Sequence, residues 1–295
     1  MMNKLTKATQ ENTDTVSNDS DSPLLCHIDN MGVATLTLNR VDKHNAFDDE
    51  LIKQLNKQLK KLARLPSLRS LILRANGRFF SSGADLNWMQ SMADQSASEN
   101  KLDADNLALL MQRLDNFPRP TIAVIEGDAF GGAIGLICCC DIAIATENAQ
   151  FCFSEVKRGL VPATIAPYVC RTIGSRQARR YMLTAEKFNA MTAYQMDMLH
   201  FVVESSFVHQ HEHQNREHNL RLDAQVQSVI HMLLSNSPNA LKETKTLCLR
   251  CDKSPIDQEL IDYTSQLIAD IRISKQGQEG VRAFFAKRPP AWKRK

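Results

Sequence analysis

Three short segments hold turns and side chains suited to chemistry: "GRFFSSGADLNWM" (77–89), "EGDAFGGAIGL" (126–136) and "FCFSEVKRGLVPA" (151–163). The first two are glycine-bearing turns that follow a strand pattern and open a helical one. Glycine lets a backbone approach a ligand closely, and the first turn of a helix aims N–H groups of partial positive charge at whatever lies before it. Two such ends converging make an oxyanion hole, which holds negative charge as it develops on an oxygen. The third segment carries one carboxylate, Glu155, among Phe151, Phe153 and Val156, apolar neighbours that raise a carboxyl pKa by desolvation.

The elements that must position these segments alternate. From Pro23 the run "LLCHIDNMGVATLTLNR" reads as a strand pair with its turn at Asp29 to Gly32. In "DDELIKQLNKQLKKLARL", Asp48 and Asp49 suit a helix N-terminus, and Leu51, Ile52, Leu55, Leu59 and Leu62 share one face. Short β-branched runs at 68–75, 121–127 and 141–146 alternate with helical or loop stretches, which is an α/β pattern. After about residue 200 the strands stop and helical patterns run through "LRLDAQVQSVIHMLL", "NALKETKTLCL" and "DQELIDYTSQLIADIRI". The expected organisation is a disordered polar tail at 1–22, an α/β core at 23–205 and a helical region at 206–295.

Composition narrows the function classes. With 43% hydrophobic and 23% charged residues, the 295-residue chain has the balance of a soluble globular protein. A net charge of +3 from 36 basic and 33 acidic residues is too even to make a polyanion-binding surface by itself. The N-terminus lacks a signal-peptide core and no run approaches the ~18 apolar residues of a membrane span, so a cytoplasmic location is expected. Cys138, Cys139 and Cys140 stand inside an apolar run, and the lone "CLRC" at Cys248 and Cys251 has no second pair, so free buried thiols are expected rather than disulfides or a metal. The histidines His209, His211, His213 and His218 lie in a polar stretch without a ligand pattern and read as a solvated loop.

Taken in order, "LNRVDKHNAFDDEL", "FSSGADL", "GDAFGGAIGL", "FSEVKRGLVPA" and "RAFFAKRPPAW" resemble the signature segments of the crotonase, or enoyl-CoA hydratase/isomerase, superfamily across residues 23–290. The resemblance implies a crotonase-like spiral of ββα units with a helical C-terminal region that mediates trimer assembly, and a homo-oligomer, trimer or dimer of trimers. It implies a CoA thioester as substrate, with no permanently bound cofactor and no metal. The backbone N–H groups of Ala84 and Gly132 would hold the thioester oxygen, and Glu155 would be the general base that activates water for attack on Cβ. Lys43, Ala46, Asp85, Leu86, Phe284 and Lys287 would meet the CoA portion, the last two from the same or a neighbouring subunit. Trp88 and Met89 would shape the acyl pocket. Within the superfamily the segments look most like the hydratases of bacterial leucine and acyclic-terpene breakdown, which makes 3-methylglutaconyl-CoA the expected substrate.

One departure bears on mechanism. Many hydratases of the superfamily carry a second glutamate in the helix after the glycine pair, where this chain has Gly135, a position expected in the substrate pocket. A single base suits either hydration or movement of a 3,4 double bond into conjugation, so an isomerase stays open. Lys157 or Arg158 is expected to pair with a carboxylate at the far end of the acyl group. Two readings of other classes are a non-catalytic acyl-CoA binder and an RNA binder using Lys53, Lys57, Lys60 and Lys61; that lysine face reads first as a solvated helix surface. Neither a nucleic acid nor a membrane is an expected partner.

Overall fold

Strands that are apolar on both faces must be covered twice, and the chain meets this with helices on each side of a mostly parallel sheet. The computed structural model describes residues 21–204 and 220–293. The tail up to residue 20, the boundary at 205 and the histidine stretch 209–218 lie outside these residues.

The chain opens with an antiparallel hairpin of β1 (Leu24–Ile28) and β2 (Val33–Leu38), whose turn is held by Asp29 accepting from the N–H groups of Met31 and Val33 at 2.9 Å. In α1 (Asp49–Ala63), Asp48 caps the first turn by accepting from Leu51 N at 2.9 Å, and the predicted apolar face is buried. On its other face Lys53 pairs with Asp49 at 2.8 Å.

A repeated unit follows: a strand of a large sheet, a short strand of a second sheet, then helix. The first is β3 (Ser70–Ala75), β4 (Phe79–Ser81), α2 (Leu86–Ala93) and α3 (Ala97–Asp115). The second is β5 (Thr121–Ile125), β6 (Asp128–Phe130) and α4 (Gly132–Cys139). The third is β7 (Ile142–Thr146), β8 (Gln150–Cys152) and α5 (Ala166–Thr184). Then come β9 (Phe188–Asn189), α6 (Ala190–Gln195), β10 (Phe201–Val203), α7 (Leu220–Ser235), α8 (Pro238–Lys253), α9 (Gln258–Ile273) and α10 (Lys275–Phe285). The sequence reading ends the strands near residue 200; β10, three residues long, extends them because a run that short shows no alternation.

The large sheet runs β1-β2-β3-β5-β7-β10 and the small one β4-β6-β8-β9. Because β4, β6 and β8 are parallel neighbours, the three segments that follow them emerge side by side at one sheet end, where ligands of such folds bind. In β5, Ile122 and Val124 point to one face, where they pack with Val33, Ile72 and Ile144 against Leu222, Val226 and Ile230 of α7. Ala123 and Ile125 point to the other, into the main core with α1, α3 and α4. Arg69, at the start of β3, donates to the carbonyls of Leu234 at 2.9 Å, Asn236 at 3.2 Å and Trp292 at 3.3 Å, which ties the end of α7 to the sheet.

The apolar segment containing the three consecutive cysteines is core. All eight cysteines are free; Cys138 and Cys139 are buried on α4, where burial pushes the Cys138 thiol up to about 12. Among the described residues no helix is long and apolar enough to cross a membrane.

Candidate active site

Each of the three segments builds one wall of a cavity of about 380 Å³, lined by Ala84, Trp88 and Met89, by Gly132, and by Glu155 and Arg158. The first wall is a turn paired with a neighbour: Phe47 N donates to Gly83 O at 2.7 Å and Asp85 N to Phe47 O at 2.8 Å, as an isolated parallel bridge between Phe47 and Ala84. That register leaves the Ala84 N–H without a backbone acceptor among the described residues. The second wall turns at Gly131, whose φ of 54° and ψ of −124° are open to glycine, and Gly131 N donates to Cys152 O at 2.9 Å. Gly132 is the first residue of α4, so its N–H faces out of the helix end.

Close packing between the turns excludes side chains. A Cβ placed on Gly83 would lie 3.2 Å from Phe130 O, and one placed on Gly131 would lie 3.1 Å from Glu155 Oε1. The two glycine turns and the carboxylate are therefore mutual neighbours. Glu155 opens a short 3-10 turn, Glu155–Arg158, that Gly159 ends in a left-handed conformation. Its Oε2 is buried with no hydrogen-bond partner among the described residues, and burial raises the carboxyl above its ordinary pKa, with Arg158 nearby opposing the shift more weakly. Two N–H donors beside a carboxylate with a free oxygen suit a reaction that takes up a proton while charge builds on an oxygen.

The structure brings together Ala84, Gly132, Glu155, Trp88, Met89 and Arg158, and separates the other expected residues from them. Gly135 is not on the cavity wall: a Cβ there would lie 2.2 Å from Ile165 Cγ2 and 3.2 Å from Met111 Sδ, and it is Ile165 that lines the cavity. Asp85, expected at the cofactor, is committed elsewhere. Its carboxylate accepts from Asn87 N at 2.9 Å and Trp88 N at 3.4 Å to cap α2, and pairs with Arg40 at 3.3 Å. Ala46 is buried with its carbonyl taken by Arg40 at 2.6 Å. Lys43, Leu86 and Lys157 are exposed outside the wall. Phe284 and Lys287 stand exposed on and after α10, which packs on α8 and α9 rather than on the cavity.

Sequence reasoning missed Phe47, Met92, Asp103, Leu107 and Ile165 as lining residues. Phe47 sits beside the more conspicuous charges of "LNRVDKHNAFDDEL", and the polar first half of α3 hides the apolar face that reaches the cavity.

A shell of parallel strands and helices with this cavity at one sheet end is the crotonase fold. An enoyl-CoA hydratase from Shewanella pealeana superposes with a TM-score of 0.84 at 48% identity, covering 92% of this chain and 97% of that one. Pseudomonas aeruginosa AtuE superposes with a TM-score of 0.85 at 30% identity over 92% and 100% of the two chains. The 2,3-dehydroadipyl-CoA hydratase of Escherichia coli K12 is 30% identical over 262 residues, 88% of this chain and 95% of that protein. The family model described as enoyl-CoA hydratase/isomerase matches residues 29–295, and the chain belongs to that family.

Proposed function

We propose that the protein adds water across the 2,3 double bond of a branched acyl-CoA that ends in a carboxylate, 3-methylglutaconyl-CoA being the substrate its segments favour. The observation that carries the reading is the free, buried Oε2 of Glu155 in one cavity with the Ala84 and Gly132 N–H groups. The thioester oxygen accepts from both N–H groups. Glu155 takes a proton from water as the oxygen attacks Cβ, negative charge moves to the thioester oxygen, and the proton returns to Cα. Arg158 is the one cation on the wall among the described residues, held by Ser154 Oγ at 3.1 Å, and it faces the distal carboxylate. The E. coli relative's dicarboxylic acyl group supports that pairing.

Isomerisation is the second reading, favoured by Ile165 filling the space a second acid at 135 would need. Turnover of 3-methylglutaconyl-CoA, crotonyl-CoA and a 3-enoyl-CoA, with products weighed, separates the two. Hydration adds one water to the first substrate, and Arg158→Met then lowers kcat/KM for it by roughly tenfold or more while leaving crotonyl-CoA within about threefold. A 3-enoyl bond moved into conjugation without mass change makes the protein an isomerase; equal losses on both substrates remove the Arg158 pairing.

On the same reading Phe284 and Lys287 reach CoA from a second copy of the chain, through the apolar surface of Ile273, Val281, Phe284 and Phe285. Sedimentation at micromolar concentration is expected to give a trimer or hexamer, and a monomer would refute this contact.

A further inference from the structure

We propose that Arg40 is a positioning residue that sets where the Ala84 and Gly132 N–H groups point; this rests on their proposed role in holding the thioester oxygen. Arg40 touches none of the cavity, yet its guanidinium binds three groups around the first donor. Nη1 donates to Ala46 O at 2.6 Å, and Nη2 pairs with Asp48 at 2.8 Å and Asp85 at 3.3 Å. Asp48 is the N-cap of α1 and Asp85 the N-cap of α2, so one guanidinium joins the starts of two helices. Between those caps lies the bridge of Phe47 to Ala84, fastened on both sides of the Ala84 N–H by Gly83 O and Asp85 N.

Phe47 carries the restraint to the second donor. Its Cδ2 and Cε2 lie 3.5 Å from where a Cβ of Gly132 would stand, so the ring packs against the first residue of α4. Segment 46–48 is thereby a spacer. Its backbone fixes one N–H, its ring sets the other, and Arg40 holds it to the cap of α2. The three side chains are largely shielded, with exposures of 17% for Arg40, 24% for Asp48 and 9% for Asp85, which keeps the pairs from being screened as surface pairs are. Preorganised donors lose effect when displaced by fractions of an ångström, so loosening the spacer costs rate more than binding.

The test uses the full-length protein, Arg40→Met, Asp85→Asn, which keeps an acceptor for the α2 cap, and the double variant. Steady-state turnover is measured beside binding of acetoacetyl-CoA, whose enolate has its own ultraviolet absorbance and reports the donors without any hydration step. Both single variants are expected to lose roughly 10- to 100-fold in kcat with KM within about threefold, and to bind acetoacetyl-CoA with little enolate. The double variant is expected to be no slower than the slower single one, since both cut the same link. If Arg40→Met lowers only the unfolding temperature, with kcat and enolate at wild-type levels, the residue is structural and the inference is overturned. If it does not fold, Asp85→Asn decides by the same readouts. Wild-type protein that binds acetoacetyl-CoA without forming enolate overturns the donor roles themselves, an outcome distinct from a failure of Arg40 alone.

Discussion

Replacing Glu155 with Gln is expected to lower kcat by roughly 10³-fold, with KM for the acyl-CoA changed by less than about threefold. Gln keeps the shape and the short 3-10 turn but cannot accept the proton of an attacking water. The pH dependence of the native enzyme follows from the same group. A base must be ionised to act, and burial holds this carboxyl above its ordinary pKa, so kcat/KM falls toward acid along a limb displaced upward from the usual carboxylate range. Stability moves in the opposite sense. A carboxyl whose folded pKa is raised favours the fold below its unfolded pKa, and that contribution is lost as pH rises through the folded value. The amide of the Glu155→Gln variant has no such loss, so the variant is expected to unfold at a higher temperature than the native protein at pH 7, with the gap closing near pH 4. Less than tenfold loss of turnover would remove Glu155 as the base; a lower unfolding temperature at pH 7 would mean that its side chain supports the turn.

Much of this arrangement was legible in residue order. The apolar face of α1, the hairpin at Asp29 to Gly32 and the buried runs of β3, β5 and β7 each follow from periodicity, since burial on one face or on both leaves a pattern several residues long. What brings the site together leaves no such trace. Strands β4, β6 and β8 have three residues each, too few for a pattern, yet their adjacency places Ala84, Gly132 and Glu155 in one cavity. Asp85 shows the converse limit. Its carboxylate takes two N–H groups at the start of α2, as an aspartate before a helix can, but its third partner is Arg40, 45 residues away, which no local pattern shows. Ile165 was invisible for a third reason: its significance is the volume it takes from residue 135, and volume shared across 30 positions is a property of packing.

That shared volume supplies the largest expected effect on stability. Gly135 lies inside α4, where an added Cβ would lie 2.2 Å from Ile165 Cγ2 and 2.7 Å from its Cβ, with Ile165 itself fully enclosed. Gly135→Ala ordinarily would stabilise a helix interior by about 0.5–1 kcal/mol. Here overpacking of roughly 1–3 kcal/mol reverses the sign, so Gly135→Ala is expected to lower the denaturant midpoint. Gly135→Glu adds a carboxylate to an apolar core against Ile165 and Met111 and is expected to cost at least about 3 kcal/mol, or to prevent folding. Ile165→Ala removes the branch that blocks residue 135. The double variant Gly135→Glu/Ile165→Ala is therefore expected to be more stable than Gly135→Glu alone, with a coupling of at least about 1 kcal/mol between the two positions. If Gly135→Glu unfolds at the native midpoint, Ile165 does not exclude a second acid, and the single-carboxylate site needs another cause. If the double variant recovers its fold, its new carboxylate stands where Ile165 lined the cavity. Its kcat/KM profile then gains a limb on the basic side that the native enzyme lacks, because a second acid must keep its proton to donate it.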